Sequence, residues 1–239
     1  MVSCVETTRN IVAMGGGGFS MDPDDPRLDD YVLGLVSVPR PRICFIPTAS
    51  GDADSYIKRF YQAFTGDRAA PTHLSLFRRT IPDLRGHLLA QHVVYVGGGN
   101  LVNLLAVWSA HGLAPVLREA WEAGVVLCGV SAGALCWFES GVTDSFGAEL
   151  AGHRGGLGLL SGSACPHFDG EPLRRPTYHR LVADGQLPGG FAADDGAALH
   201  FVGTTLQRVV ASRPLARAYR VERHGQEVVE TMLDTAYIG

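Results

Sequence analysis

The 239-residue chain has no excess of basic charge and no long apolar run, and these absences narrow its function. Charged residues make up 18% of the sequence and the formal net charge is -4, so there is no basic field to attract nucleic acid. No apolar run approaches the roughly 18 residues of a membrane span, and the N-terminus has no signal-peptide pattern. We therefore expect a cytoplasmic protein that acts on a small molecule.

Paired cysteines and linkers are also missing. The five cysteines are an odd number without paired spacing, in a chain long enough to need no disulfides, so reduced and mostly buried thiols are expected. No Pro/Ser-rich segment interrupts the chain, and 46% of its residues are hydrophobic, which is enough for a large core. We expect residues 1–239 to form a single domain.

Short apolar runs alternate with helix-length amphipathic segments over the first part of the chain. Strands that are apolar throughout and are joined by helices predict a mostly parallel sheet covered by helices on both faces, a three-layer α/β fold. The predicted strands are Asn10–Met14, Arg42–Ile46, Thr72–Phe77, His92–Val96 and Val125–Gly129. The predicted helices are Pro26–Val38, Asp52–Thr65, Leu101–Ser109 and Pro115–Ala123.

After Gly141 the pattern changes to turns, one helix near Arg175–Ala183, and short alternating segments. The alternation predicts antiparallel C-terminal hairpins, and the absence of a linker favours one mixed sheet for the whole chain. The last hairpin also offers an edge through which a homodimer would form. The predicted strands of this half are Ala197–Val202, Leu206–Ala211, Ala216–Glu222 and Glu227–Leu233.

Ser131 is the candidate nucleophile. A buried strand runs into Gly129-Val130-Ser131-Ala132-Gly133 and then into a predicted helix, the context of a nucleophile elbow. Side chains at Gly129 and Gly133 would collide with a neighbouring strand or helix, and free amides at a helix N-terminus favour a developing negative charge. A serine that merely caps a helix after a strand gives the same pattern, so the motif alone leaves both interpretations open.

Two glycine-rich turns follow predicted strands. The amides of Gly97-Gly98-Gly99-Asn100 would form an oxyanion hole with the amide of Ala132, although a tightly packed turn has the same composition. Gly15-Gly16-Gly17-Gly18 is not a dinucleotide fingerprint, because Ser20 stands where the third glycine belongs and no Walker lysine follows. No metal-ligand spacing occurs either, so neither a cofactor nor a metal is expected.

A serine nucleophile needs a base and an acid that orients it. Of nine histidines, His167 directly follows an apolar segment, as a catalytic residue at a strand's carboxyl end would, whereas His179 lies among charges in a predicted helix. Asp194-Asp195-Gly196 follows the strand-like Phe191–Ala193 and supplies candidate acids. The same residues also fit an ordinary Asp-Gly turn.

Four motifs taken together resemble peptidase E, a family of serine aspartyl dipeptidases related to cyanophycinases. They are Gly15–Ser20, Gly97–Asn100, Gly129–Ala134 and Pro166–Phe168, and their order and rough spacing match from Ile11 to about Gly196. The resemblance implies a fold similar to class I glutamine amidotransferases, with serine in place of their cysteine. It further implies cleavage of dipeptides or short peptides after an N-terminal aspartate.

The resemblance assigns roles to individual residues. Ser131 is implied as the nucleophile and His167 as its base, with Gly98 or Gly99 and Ala132 around the oxyanion. The family usually has a glutamate before a glycine as its third member, and Asp195 stands there in this chain. Because aspartate is one methylene shorter, either its loop lies closer or the role moves, with Asp144 as the reserve.

Substrate choice requires a cation for the aspartyl carboxylate, because an unpaired charge in a closed pocket is costly. Arg175 lies near the family's arginine for this role, and Arg174 or Arg180 replaces it if the register shifts by a few residues. A solvent-exposed helix face explains the same arginines. Three rival functions remain: an inactive homologue that binds an acidic small molecule, a cyanophycinase-like hydrolase of β-aspartyl-arginine, and a general esterase.

Overall fold

A computed structural model describes residues 8–239, in which the apolar runs form an α/β fold with two mixed sheets. Within these residues the strands are β1 (Asn10–Met14), β2 (Arg42–Ile46), β3 (Ala70–His73), β4 (Val93–Val96), β5 (Val126–Val130), β6 (Phe138–Thr143), β7 (Ala151–Arg154), β8 (Leu160–Cys165), β9 (Gly190–Ala193), β10 (Ala197–Val202), β11 (Thr205–Ala211), β12 (Ala218–His224), β13 (Glu227–Met232) and β14 (Thr235–Tyr237). The helices are α1 (Gly18–Met21), α2 (Arg27–Leu33), α3 (Asp54–Ala63), α4 (Leu84–Leu89), α5 (Leu101–His111), α6 (Leu113–Glu122), α7 (Ala132–Leu135) and α8 (Arg174–Ala183), and a 3₁₀ turn spans Thr48–Ser50.

The first sheet has the strand order β14-β11-β10-β1-β5-β4-β2-β3. Strands β1, β5, β4, β2 and β3 run parallel, while β1 pairs with β10 in the antiparallel sense. Alternate residues of β1 enter different apolar clusters: Ile11 and Ala13 pack on one face, Val12 and Met14 on the other. Because successive side chains of a strand point to opposite faces, both faces of the sheet are buried, as its continuous apolar runs predict.

The second sheet corrects the expectation of one mixed sheet. Its order is β13-β12-β9-β8-β6-β7, so the chain leaves the first sheet after β5. Helix α7 is only four residues long, and β6 follows it and pairs in parallel with β8. Alternation of polar and apolar residues identifies a strand and its buried face but not its partner, and the sequence therefore left the division into sheets undetermined.

Strand boundaries follow the sequence closely except at β3. Strands β1, β2 and β10 begin and end at the predicted residues. The predicted range Thr72–Phe77 is wrong, because β3 begins at Ala70 and ends at His73. The amides of Leu76 and Phe77 donate to Asp52 Oδ2 instead of to a neighbouring strand. A side-chain acceptor that is distant in sequence thus ends the strand early.

The described cysteines are reduced and buried, as expected for Cys44, Cys128, Cys136 and Cys165, and Cys4 lies outside the described residues. Across residues 8–239, no helix alone has the length and hydropathy to cross a bilayer; α5 and α6 reach them only in combination, with a bend of 89° between them.

Asp29 is an unpaired carboxyl buried under the first glycine-rich turn. Its Oδ2 accepts the Phe19 amide at 2.8 Å, whereas Oδ1 has no hydrogen-bond partner among residues 8–239, and the residue is 1% exposed. Burial raises the pKa of Asp29 to about 7, and the hydrogen bond from Phe19 opposes this only in part. The folded state therefore holds a proton that the unfolded chain releases near pH 4, and this contribution to stability is lost as pH rises from about 4 to 7.

We expect Asp29→Asn to flatten this dependence. The amide keeps an acceptor for Phe19 but does not ionise, so the free energy of unfolding should gain a few kcal/mol at pH 8 relative to wild type, at ~1.4 kcal/mol per pKa unit. Urea unfolding of both proteins at pH 4.5 and pH 8 measures this difference in the free energy of unfolding. The neighbouring Asp30→Asn, at an exposed ion pair with Arg68, is the matched control. Equal pH dependence in wild type and Asp29→Asn would contradict the assignment.

Candidate active site

The carboxyl end of β1 holds three of the loops that carry candidate residues. The Ser131 amide donates to Met14 O at 3.1 Å, and the His167 amide donates to Gly15 O at 3.2 Å. The Gly196 amide, next to Asp195, donates to Gly16 O at 2.9 Å. Three consecutive carbonyl groups, at the end of β1 and just after it, thus anchor loops that begin in different sheets. The backbones that carry the predicted nucleophile, base and acid converge at this point.

Ser131 occupies a strained turn between β5 and α7. Its φ of 57° and ψ of −118° lie in a region that side chains rarely adopt. A Cβ on Gly129 would lie 2.2 Å from Gly133 O, and a Cβ on Gly133 would lie 2.2 Å from Val96 O, so both positions require glycine. The Ser131 side chain makes no capping hydrogen bond, which argues against the interpretation of this residue as a simple helix N-cap.

His167 and Asp195 are joined by a short hydrogen bond. The Nδ1–H of His167 donates to Asp195 Oδ1 at 2.6 Å, and both side chains are mostly buried, at 13% and 17% exposure. His167 has a φ of 53°, a second strained residue. A Cβ on Gly16 or on Gly170 would lie 2.0 Å or 2.1 Å from an Asp195 carboxylate oxygen, so two glycines leave space for this short acid close to the imidazole.

The adjacent acids Asp194 and Asp195 have opposite electrostatic environments. Burial alone would raise the pKa of Asp195, but the hydrogen bond from His167 and the charges of His167, Arg213 and Arg174 outweigh it and lower that pKa. Burial raises the pKa of Asp194 to about 6, although its Oδ2 accepts the Arg217 amide. Asp195 is therefore the carboxylate that stays ionised beside the imidazole.

The Gly97–Gly99 turn lies next to the nucleophile. A Cβ on Gly98 would lie 3.3 Å from Ser131 Cβ, and the Gly98 amide donates to the Tyr56 hydroxyl at 3.2 Å. Gly99 has a φ of 134°, and a Cβ there would lie 2.3 Å from Ala49 O. The turn therefore requires glycine at position 99, and its first candidate oxyanion donor, Gly98, already has a partner.

The predicted substrate residues separate into different environments. Asp144 follows β6, is 59% exposed, and its Oδ1 lies 4.0 Å from Arg174. Arg174 is 3% exposed and donates to Glu171 and to Val142 O. By contrast, Arg175 bonds Glu230 at 3.2 Å and lies over the Phe168 and Tyr219 rings. Arg180 is an exposed partner of Asp184.

Three residues at the site were missed by the sequence analysis. Tyr56 lies within the predicted helix Asp52–Thr65, and its hydroxyl contacts the Gly98 turn. Asp169 and Arg213 flank the Asp195 loop, where Asp169 Oδ1 accepts the Asp195 amide at 2.8 Å. Their positions in the sequence could have pointed to them. Asp169 lies two residues after the candidate base His167, and Arg213 lies two residues after the end of strand β11.

Residues 11–209, which include Ser131, His167 and Asp195, match peptidase family S51. The chain belongs to this family. Membership of S51 makes the chain a peptidase, and its serine elbow agrees with a serine peptidase. The uncharacterized peptidase YgaJ of Bacillus subtilis (strain 168) is 52% identical over 231 residues, covering 97% of this chain and 100% of its own length.

Two solved structures share the fold with this S51 member. A peptidase from an acI-B1 actinobacterium has a TM-score of 0.71 and 19% identity, covering 97% of this chain and 96% of that one. A candidate peptidase E protein from Listeria monocytogenes EGD-e has a TM-score of 0.59 and 17% identity, covering 95% and 100%. At these identities the structures support the α/β fold alone.

Proposed function

We propose that this S51 peptidase is a single-domain serine hydrolase, with a fold like class I glutamine amidotransferases, that cleaves after an N-terminal aspartate in dipeptides or short peptides. The observation that carries the proposal is the 2.6 Å hydrogen bond between His167 and Asp195, held at the same strand end as the strained Ser131. A nucleophile, a base and an ionised orienting acid are the parts that acyl transfer by serine requires.

The hydrogen bond to Asp195 fixes the role of each imidazole nitrogen. Because Nδ1–H donates to Asp195, Nε2 is the acceptor atom of the neutral imidazole, and we assign to it the proton of Ser131 Oγ. The oxygen then attacks the first peptide carbonyl, and the imidazolium returns its proton to the leaving amine as the C–N bond breaks. Water repeats the sequence on the acyl-enzyme and releases aspartate.

The amides of Gly99 and Ala132 are the donors we assign to the oxyanion. The Gly98 amide is committed to Tyr56, which favours its neighbour Gly99 among the two glycines expected from the sequence. Ala132 is the first residue of α7, where an amide has no partner within the helix. Donors aimed at the developing charge are each worth about 10²-fold or more in rate.

For the aspartyl carboxylate we favour Arg174 over Arg175. Both arginines already pair with a glutamate, Arg174 with Glu171 and Arg175 with Glu230. They differ in that the charge of Arg174 acts on Asp195, which is bonded to the proposed base, whereas Arg175 is stacked on Phe168 and Tyr219. Asp144 lies near Arg174 and is exposed, so its carboxylate suits the N-terminal ammonium of the substrate. This pairing of charges explains a preference for the first residue of a peptide.

The test is hydrolysis of Asp-Leu compared with Asn-Leu, Glu-Leu, Leu-Leu, β-Asp-Arg and a short acyl ester. We expect Asp-Leu to exceed Asn-Leu by at least about 10²-fold in kcat/KM, because the aspartyl carboxylate forms a charge-assisted pair with the guanidinium of Arg174 and the neutral amide of asparagine does not. Arg174→Gln should remove this preference, and Arg175→Gln should leave it nearly intact. Released amino acids are measured by chromatography, and thermal unfolding controls for folding of each variant.

Other outcomes identify the rival functions. Turnover of β-Asp-Arg alone would favour a cyanophycinase-like hydrolase, and ester turnover indifferent to an acidic group would favour an esterase. Release from none of these substrates by folded protein would favour an inactive homologue that binds an acidic molecule. Loss of the aspartate preference in Arg175→Gln but not in Arg174→Gln would transfer the proposed role to Arg175.

A further inference from the structure

Asp169 joins the loop of the proposed base to the loop of the proposed acid. Its Oδ1 accepts the Asp195 amide at 2.8 Å, and its Oδ2 accepts a hydrogen bond from Arg213 at 2.5 Å. The Phe168 amide donates to Ala193 O at 3.1 Å, so the same two loops are also joined through their backbones. The Asp169 carboxylate thus spans His167's loop, the Asp195 amide and a third segment that carries Arg213.

Arg213 is itself fixed against the Asp195-Gly196 turn. The Ser212 amide donates to Gly196 O at 2.8 Å, which places the backbone of the arginine beside that turn. Its side chain then crosses Gly196: a Cβ on this glycine would lie 2.9 Å from Arg213 Cγ and 3.0 Å from its Nε. Gly196 also has a φ of 78°, so both the conformation and the packing at this position require glycine.

We propose that Asp169 and Arg213 are positioning residues, which hold the Asp195 carboxylate against the imidazole of His167. The proposal rests on the Ser131–His167–Asp195 chemistry proposed above. Asp195 is a short acid, and its Oδ1 reaches His167 only if its backbone stays close to the His167 loop. The Asp169 carboxylate accepts the Asp195 amide and so holds it near that loop. Arg213 bonds the other oxygen of Asp169 and keeps the Asp169 carboxylate in this orientation.

The charges of the pair also act on the proposed base and acid. The guanidinium of Arg213 favours the ionised form of Asp195, and the negative charge of Asp169 disfavours ionisation of the adjacent Asp194. Removing either charge should therefore move the low-pH limb of the rate profile, in opposite directions. The other titratable and charged groups around the His167–Asp195 pair are Arg174, Arg175 and Asp194.

The experiment compares Asp169→Ala, Asp169→Asn, Arg213→Gln and Arg213→Lys by three measurements. They are kcat and KM for Asp-Leu from pH 5 to 9, the rate of Ser131 labelling by a fluorophosphonate, and the low-field Nδ1 proton resonance of His167. Arg85→Gln is the matched control, because Arg85 pairs with Glu119 on exposed surfaces of α4 and α6. Thermal unfolding should change little in every variant, since exposed ion pairs contribute little to stability.

Asp169→Ala should lower kcat and the labelling rate on the order of 10²-fold with KM nearly unchanged, the expected cost of a catalytic group misplaced by about 1 Å. The apparent pKa of the low-pH limb should rise by roughly half a unit in Arg213→Gln and fall by a similar amount in Asp169→Asn. In Arg213→Lys this apparent pKa should equal that of wild type, because the positive charge is kept. The His167 resonance should broaden or move upfield in Asp169→Ala.

Variants that match Arg85→Gln in rate, pH limb and resonance would overturn the proposal. Its failure is distinguishable from failure of the proposed substrate class. If wild type is labelled at Ser131 but does not cleave Asp-Leu, the substrate class is wrong, and labelling rates still decide the positioning role. If wild type is not labelled either, the serine chemistry is wrong, and the His167 resonance decides whether the pair holds Asp195 in place.

Discussion

Ser131→Ala should abolish hydrolysis of Asp-Leu, with kcat lower by roughly 10⁶-fold, the loss typical when a serine peptidase loses its nucleophile. Ser131 lies on a strained backbone between two glycines that accept no side chain. It is the residue that directly follows β5, so its hydroxyl is the one that the elbow presents. The protein should nevertheless stay folded. The Ser131 side chain caps no helix in this structure, so its removal leaves no capped amide without a partner.

Two controls separate chemistry from folding for Ser131. Thermal unfolding of Ser131→Ala should match wild type to within a few degrees, and a fluorophosphonate should label wild type but not the variant. Ser140→Ala is a matched change on β6, where a buried hydroxyl bonds Gly162 O. It should reduce stability while leaving kcat near wild type. Substantial turnover by Ser131→Ala would rule out the serine mechanism.

Asp195→Asn should lower kcat about 10⁴-fold with little change in KM, as expected when the acid that orients a catalytic histidine loses its charge. The amide has the same size, so it fits between Gly16 and Gly170, but it neither stabilises the imidazolium nor enforces the tautomer with Nδ1 protonated. The effect is therefore electrostatic. A pH profile of kcat/KM together with unfolding curves checks that the variant is folded and still binds substrate.

Asp144→Asn tests the alternative acid. Because Asp144 is exposed and its Oδ1 lies 4.0 Å from Arg174, we expect its substitution to raise KM for Asp-Leu and to change kcat much less. Asp195→Glu is a further control: the extra methylene meets a slot bounded by Gly16 and Gly170, so kcat should fall even though the charge is kept. A neutral Asp195→Asn together with an inactive Asp144→Asn would transfer the orienting role to Asp144.

Much of the site was predictable because its residues follow strands. Ser131, Gly97–Gly99, His167 and Asp195 come after β5, β4, β8 and β9. The sequence shows β4 and β5 as apolar runs and β9 as a strand-like segment, whereas the start of β8 lies in the part expected to form turns. The carboxyl ends of strands in α/β proteins collect functional residues at one edge, so position after a strand favoured His167 among the histidines. Which residues the strand ends bring into contact was not readable from the sequence.

The residues that support the candidate site, Tyr56, Asp169 and Arg213, escaped prediction because their contacts join distant segments. The Asp169–Arg213 bond spans 44 residues, and the Gly98–Tyr56 bond spans 42. The sequence of an exposed loop is the same whether its charged side chains bond a catalytic loop or water, so it does not reveal their partner. The sequence could not decide between Arg174 and Arg175 for a similar reason. Neighbouring residues of a helix point in different directions, and only packing decides which of the two is buried.

Local sequence patterns predict most of the elements and name the candidate site residues. Apolar runs specified the buried strands, and glycines at positions 129 and 133 specified a turn that holds a serine, since local sterics and hydrophobic period are encoded in adjacent residues. The tertiary structure alone decided that the strands form two sheets and that Met14, Gly15 and Gly16 gather Ser131, His167 and Gly196 at one strand end. Strand pairing and loop contacts depend on energies shared by residues far apart in the chain, and no local pattern records them.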